Sequence, residues 1–355
     1  MGSSIQVGST LSASENDDCE VRPTDRRGRP VRDLRVSVID ACNLRCSYCM
    51  PEDEASAPLR FLKRRQLLSV SEIRRMVQTF AELGVEKVRI TGGEPLMRDD
   101  LPEIIAAVAE IDGITDVAMT TNGYWLGKHA DRLHAAGLKR LTVSLDTLSP
   151  DRARDLSGRP LEPQRILDGI EAASAAGFEQ IKINTVVIKG KNDDEVLAMA
   201  EAFRHTGRIL RFIEYMDVGT RNNWQSDDVA VMEDVLARIA AVYALDPVDP
   251  RWQGEVAKRY CYRDGGGEIG FITSVSQPFC HSCNRARITA DGRLYTCLFA
   301  NEGLSIRHLL GEGDRAQLRD KLRRIWQLRD DNYSEVRHQV RQGNHRPVEM
   351  NHVGG

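Results

Sequence analysis

The chain of 355 residues sets 49 Lys and Arg against 52 Asp and Glu, a formal charge of -3, with 41% hydrophobic residues. So balanced a charge excludes a broad basic field for nucleic acid or a membrane surface, and any anionic ligand must meet locally clustered cations. No apolar run reaches the roughly 18 residues of a membrane span and no signal pattern opens the chain, so a cytoplasmic protein with one large and one smaller domain is expected.

Residues 1–28 are rich in Ser, Asp, Glu and Arg and are expected to form a flexible tail. From Leu34 to about Met216 short β-rich runs then alternate with helical ones. LRVSVI leads to SEIRRMVQTFAELG, KVRIT to LPEIIAAVAEI, DVAMTTN to WLGKHADRLHAAG, RLTVSLD to PQRILDGIEAASAAG, QIKINTVVI to DDEVLAMAEAFRHTG, and RILRFIEYM closes the series. Gly84, Gly137, Gly177 and Gly207 stand where helices should end in a left-handed residue. The pattern predicts a parallel sheet with helices on its outer face.

One parity of each strand is polar: Arg35 and Ser37, Arg89 and Thr91, Thr120 and Asn122, Ser144 and Asp146, Lys182 and Asn184, and Glu214. An open antiparallel sheet could alternate in this way, but six strands joined by helical crossovers point to a curled sheet with a hydrophilic lumen. After Met216 come a helix near MEDVLARIAAVYAL, strands in EVAKRYCYR and EIGFITSVS, a hairpin RARITADGRLYTCLF turning at Asp291-Gly292, and a late helix RAQLRDKLRRIWQLR. The expected division is 29–220 for the barrel, 221–342 for the second domain and 343–355 for a terminal tail.

The eight cysteines fall into two groups, Cys42, Cys46 and Cys49, then Cys280, Cys283 and Cys297, with Cys19 and Cys261 left as inert thiols. Such clustering suits an intracellular metalloprotein better than a disulfide framework. The run CNLRCSYC has no fourth cysteine or histidine nearby to complete a structural zinc site, whereas three thiolates can hold three corners of a [4Fe-4S] cluster and leave one iron open. The second group, C-x2-C-x13-C, reads the same way less decisively, with a zinc ribbon completed by His281 as the alternative.

CNLRCSYC after the first strand and Gly92-Gly93-Glu94-Pro95 after KVRIT resemble the radical S-adenosylmethionine (SAM) superfamily. Glycine at that turn is expected to let the backbone approach a ligand closely. With RITGGEPLMR, TTNGYWL, KINTVVIKG, RFIEYM, FCHSCNRARIT, GRLYTCLF and the final Gly-Gly, the chain resembles the GTP 3',8-cyclase family of molybdenum-cofactor biosynthesis from about Arg35 to its end. The resemblance implies an incomplete (βα)6 TIM-type barrel with a smaller α+β C-terminal domain, two [4Fe-4S] clusters on the six cysteines, and SAM cleaved to a 5'-deoxyadenosyl radical that attacks the ribose of GTP.

It further implies SAM contacts at Tyr48, Gly93, Ser144 and Met216, and GTP contacts at Arg35, Arg89, Thr120, Lys182, Arg285 and Arg287. Arg285, Arg287, Gly354 and Gly355 are implied in catalysis, and the second cluster in holding the guanine base. A flavodoxin or ferredoxin as electron donor and cyclic pyranopterin monophosphate synthase as the next enzyme follow from the same resemblance, which implies a lyase and is compatible with a homodimer. A peptide-modifying radical SAM maturase and a zinc-binding scaffold are the alternatives.

Overall fold

The first repeat explains the rest. In β1 (Asp33–Ser37) Leu34 and Val36 are fully buried on one side and Arg35 points to the other. The helix α1 (Val70–Glu82) starts where Ser69 accepts from the Glu72 amide and Glu72 accepts from the Ser69 amide. It buries Ile73, Met76, Val77 and Phe80 at helical spacing and ends before Gly84, whose φ is +99°. The computed structural model describes residues 22–52, 58–252, 254–311, 314–341 and 345–354.

Repetition gives β2 (Lys87–Thr91), α2 (Leu101–Ala109), β3 (Asp116–Thr121), α3 (Leu126–Ala135), β4 (Arg140–Ser144), α4 (Pro150–Ser157), α5 (Pro163–Ala175), β5 (Ile181–Val187), α6 (Val196–Phe203) and β6 (Ile209–Glu214). Neighbouring strands from β1 to β6 all pair in parallel. Val36, Ile90, Met119, Val143, Ile183 and Phe212 are each 0% exposed, on the parity that faces the helices. The expected barrel, its six strands and the helix-ending Gly84, Gly137 and Gly177 stand; α6 stops at Phe203, ahead of Gly207, and the short α4 was not foreseen.

The rest of the chain supplies α7 (Met232–Ala240), β7 (Leu245–Val248), β8 (Lys258–Tyr262), β9 (Glu268–Ile272), β10 (Arg285–Ile288), β11 (Arg293–Tyr295), β12 (Leu304–Ser305), α8 (Arg315–Gln327), α9 (Tyr333–Arg341) and α10 (Met350–Val353). Its strands join the barrel sheet, giving the order β12-β11-β10-β1-β2-β3-β4-β5-β6-β9-β8-β7. β10 lies parallel to β1 and β9 parallel to β6, so both barrel edges, which would otherwise expose unpaired backbone, are covered. Among the described residues no helix is long and apolar enough to cross a membrane.

Two expectations need correction. The flexible tail was drawn to residue 28, but Thr24 bridges to Pro30, Asp25 is 5% exposed and Arg27 pairs with Asp330. Composition could not reveal this, because these charges are held by partners about 300 residues away. The remainder of that tail, with Cys19, lies outside the described residues. Glu214 was expected on the lumen parity of β6, yet it lies on the parity of the buried Leu210 and Phe212. It is fully buried and accepts from the amides of Met232, Val275 and Ser276 at 3.1, 2.7 and 2.9 Å, tying α7 and the segment after β9 to the barrel.

Glu214→Ala, which leaves those amides without an acceptor, is expected to cost about 3 kcal/mol, seen as a lower urea midpoint of unfolding, with Glu214→Gln falling between the variant and the wild type.

Candidate active site

Strand register brings the cations together. Arg35 on β1 stands level with Arg287 on β10 and Arg89 on β2; Arg89 is level with Ala118 on β3, and Ala118 with Arg140 on β4. Four arginines thus form one row across five strands, with the small Ala118 leaving space in the middle. One level away, Thr120, Thr142 and Lys182 align, and Asn184 stands beside Arg211. Arg89 donates to Thr120 Oγ1 and Thr142 Oγ1 at 3.2 and 3.1 Å, and Arg211 Nε donates to Asn184 Oδ1 at 2.9 Å.

These side chains line a cavity of about 890 Å³ that also takes in Tyr48, Ser144, Met216, Arg285 and Met350. Burial and then the facing Arg287 hold Arg35 well below the usual guanidinium range, and its Nε is buried without a hydrogen-bond partner. Burial, followed by neighbouring arginines, pulls Lys87 and Lys182 down to about 7, Arg211 to about 9 and Arg140 to about 10. Asp33 is drawn the other way: burial raises it, but Lys87 and three arginines outweigh burial and hold its carboxyl below the ordinary range. An empty site of this kind repels itself and suits a polyanion.

Lys87, Arg140 and Arg211 were missed from the sequence. The signal was there, since each shares the parity of an expected residue on its own strand, Arg89, Ser144 and, across the β5–β6 pair, Asn184. Lys87 and Arg140 begin their strands, where a charge looks like a solvated end.

A smaller cavity of about 140 Å³ shares the Tyr48, Thr120, Ser144, Asp146 and Met350 walls with the large one. Cys42, Cys46 and Cys49 line it, with Thr91, Gly92, Gly93, Glu94 and Asn122. Burial pushes the Cys42 thiol up to about 11 and Cys49 to about 12. No other cysteine and no histidine lines this space, and among the described residues no three His, Cys, Asp or Glu side chains converge on one metal position. Thiols spread around a common space can hold a multi-iron cluster with a corner to spare.

Gly92 and Gly93 line this cavity, and they also meet a packing requirement that their sequence did not reveal. A Cβ on Gly92 would meet Ile39 O at 2.5 Å, and one on Gly93 would meet Ala41 O at 2.3 Å. The glycines let the turn lie directly on the backbone leading into the cysteine loop, where Gly93 N donates to Ile39 O at 2.7 Å and Glu94 N to Ala41 O at 2.9 Å. Glu94, 1% exposed, then accepts from Thr121 Oγ1, Asn122 N and Leu96 N, while burial raises its carboxyl to about 7. Tyr48 is fixed by its hydroxyl, which donates to Asp146 Oδ2 at 2.7 Å.

Cys280, Cys283 and Cys297 are free thiols but line neither cavity; their neighbours Asn284, Arg285 and Leu298 do. Arg285 links this group to the large cavity, which it lines. It donates to Cys283 Sγ at 3.2 Å and packs 4.9 Å from the Phe279 ring. Burial raises the Cys283 thiol, but Arg285 and Arg329 outweigh burial and bring it to about 6. At the chain end Gly354, φ +70°, fits against Thr91 and accepts from Arg287. Gly355 lies outside the described residues.

Residues 36–203 match the radical SAM superfamily and 208–335 the Molybdenum Cofactor Synthesis C family. Proteins named GTP 3',8-cyclase are 50% identical over 93% of this chain and 98% of theirs in Xanthomonas axonopodis pv. citri, and 43% identical over 93% and 98% in Staphylococcus aureus (strain JH9). Among solved structures, SuiB of Streptococcus suis bound to S-adenosylmethionine aligns with a TM-score of 0.58 at 16% identity, over 81% of this chain and 68% of that one. Native anSMEcpe with bound AdoMet aligns at 0.51 and 14%, over 81% and 82%. These two share the fold alone, whereas the sequence relatives span nearly the whole chain: it belongs to the GTP 3',8-cyclase family within the radical SAM superfamily.

Proposed function

We infer that the chain is a GTP 3',8-cyclase, a lyase that converts GTP to (8S)-3',8-cyclo-7,8-dihydroguanosine 5'-triphosphate in molybdenum cofactor biosynthesis. The observation that carries this reading is the row of arginines in a cavity that shares walls with the three-thiol site. Cys42, Cys46 and Cys49 would hold a [4Fe-4S] cluster and Cys280, Cys283 and Cys297 a second; SAM would lie against Tyr48, Gly93, Ser144 and Met216. When bound, the first cluster and SAM supply the one-electron chemistry that removes hydrogen from the ribose C3' of GTP, so that C3' can bond to guanine C8.

The chain's own residues then have definable tasks. Arg35, Arg89, Lys182, Arg285 and Arg287, joined by Lys87, Arg140 and Arg211, neutralise a triphosphate of about four negative charges, and the planar guanidinium forks of the arginines donate to its oxygens in pairs. Thr120 holds Arg89 and orients it. Tyr48, pinned by Asp146, forms part of the wall between the two cavities and limits how far sugar and base can move. Such confinement is what ring closure between two parts of one substrate requires. Arg287 holds Gly354 by its carbonyl, and Met350 of the same terminal segment lines both cavities, so this segment would form part of their wall. A flavodoxin or ferredoxin would supply electrons, and cyclic pyranopterin monophosphate synthase would take the product.

Anaerobic incubation with GTP, SAM and dithionite is the direct test: cyclised GTP is the expected product, and a chain that modified a peptide while leaving GTP intact would refute the assignment. Binding should also depend on pH. Lys87 and Lys182 sit near 7 in the free site, and a bound triphosphate favours their protonated forms. Protons are therefore taken up on binding, and GTP affinity should fall by roughly threefold or more per unit between pH 7 and 9, with a shallower slope in Lys182→Met; equilibrium dialysis measures both. In Gly354→Ala a Cβ would collide with the Thr91 hydroxyl. Cyclisation is expected to drop about 100-fold at unchanged iron content, as measured by product formation and iron analysis.

A further inference from the structure

Behind the second cysteine group, and outside both cavities, lies a buried ionic cluster that uses the N-terminal segment. Asp25 Oδ2 pairs with Arg29 Nε at 2.7 Å and with Arg329 Nη1 at 3.0 Å, and the three side chains are between 0% and 3% exposed. Each arginine reaches past the carboxylate to the cysteine backbone. Arg29 Nη1 donates to Cys280 O at 2.6 Å and to Asp331 O at 2.9 Å. Arg329 donates to Cys283 O at 2.7 Å through Nη1 and to Thr296 O, the residue before Cys297, at 3.1 Å through Nε. Every cysteine of the group is thus gripped at its own carbonyl or at that of the residue before it. Trp326 braces the arrangement, its ring under the Arg329 guanidinium at 4.6 Å and its Nε1 donating to Arg29 O at 2.9 Å.

We propose that Asp25, Arg29 and Arg329 form a positioning clamp that sets the Cys280, Cys283 and Cys297 thiols at the spacing a four-iron cluster needs. The proposal rests on the reading that this group holds a cluster. Two guanidiniums share the Asp25 carboxylate, and Arg29 Nη2 is buried without a hydrogen-bond partner. Arg329 Nε also meets Asp331 Oδ2 at 3.1 Å, so two carboxylates balance Arg29 and Arg329, and the positive charge in excess beside the three thiols is that of Arg285, which an anionic thiolate-bound cluster would offset. None of the three clamp residues lines the large cavity, so they act through the cysteine loops rather than on substrate.

The test compares anaerobic iron-sulfide reconstitution of the full chain with Asp25→Asn, Arg329→Lys and Cys283→Ala. About eight irons are expected in the wild type and about four in Cys283→Ala. The two clamp variants should lose most of the second set of about four irons and keep the SAM-dependent electron paramagnetic resonance signal of the first cluster. Arg329→Lys preserves the charge and removes the fork, so it carries the test if Asp25→Asn fails to fold. Folded clamp variants that load like the wild type, or that lose both clusters in equal measure, would overturn the clamp. A wild-type chain that takes up only about four irons would instead overturn the second cluster itself.

Discussion

Like charges in register dominate this molecule. Parallel pairing sets Arg287, Arg35 and Arg89 on adjacent strands at one level, with Arg140 beyond Ala118. At a strand spacing near 5 Å and an effective dielectric of about 20, each adjacent pair would repel by about 3 kcal/mol. Asp33, paired with Lys87 at 3.4 Å, offsets only part of this. The fold has to hold the row rigidly, and the apolar layer between strands and helices does so. A multiply charged anion would relieve the repulsion stored there.

That constraint explains why the C-terminal region is built into the barrel sheet. β10 contributes Arg285 and Arg287 and lies beside β1, so its register also sets the width of the anion site. The same strand begins two residues after Cys283, and the chain end reaches Arg287. One strand therefore connects the second cysteine group, the proposed triphosphate site and Gly354. The Glu214 carboxylate performs a related task at the opposite edge, where it fixes the approach to β9 and α7.

The barrel was readable because its signals are local. Strand and helix periods alternate, glycines end helices, and a polar parity recurs in strand after strand. The cysteine spacing and the Gly-Gly-Glu-Pro turn were likewise contiguous. Reading failed where partners are distant. Asp25 and Arg29 look like solvated tail charges until Arg329 is placed beside them. Glu214 looked like a lumen residue because it is a charged side chain at the end of a mostly apolar strand, and Arg211, the true inward cation, was passed over. For Gly93 only ligand approach was read, and its close contact with Ala41 O was passed over.

By itself the sequence determined the repeating strand-helix units, the identity of the thiols and most of the inward cations, because side-chain period and chemical type are properties of short segments. Only the tertiary structure decided which strands stand level, how β10 closes onto β1, that Arg285 links Cys283 to the cavity, and that the N-terminal segment grips the second cysteine group. Those outcomes depend on register and on charges brought together across hundreds of residues, and no local pattern records the sum of such long-range energies.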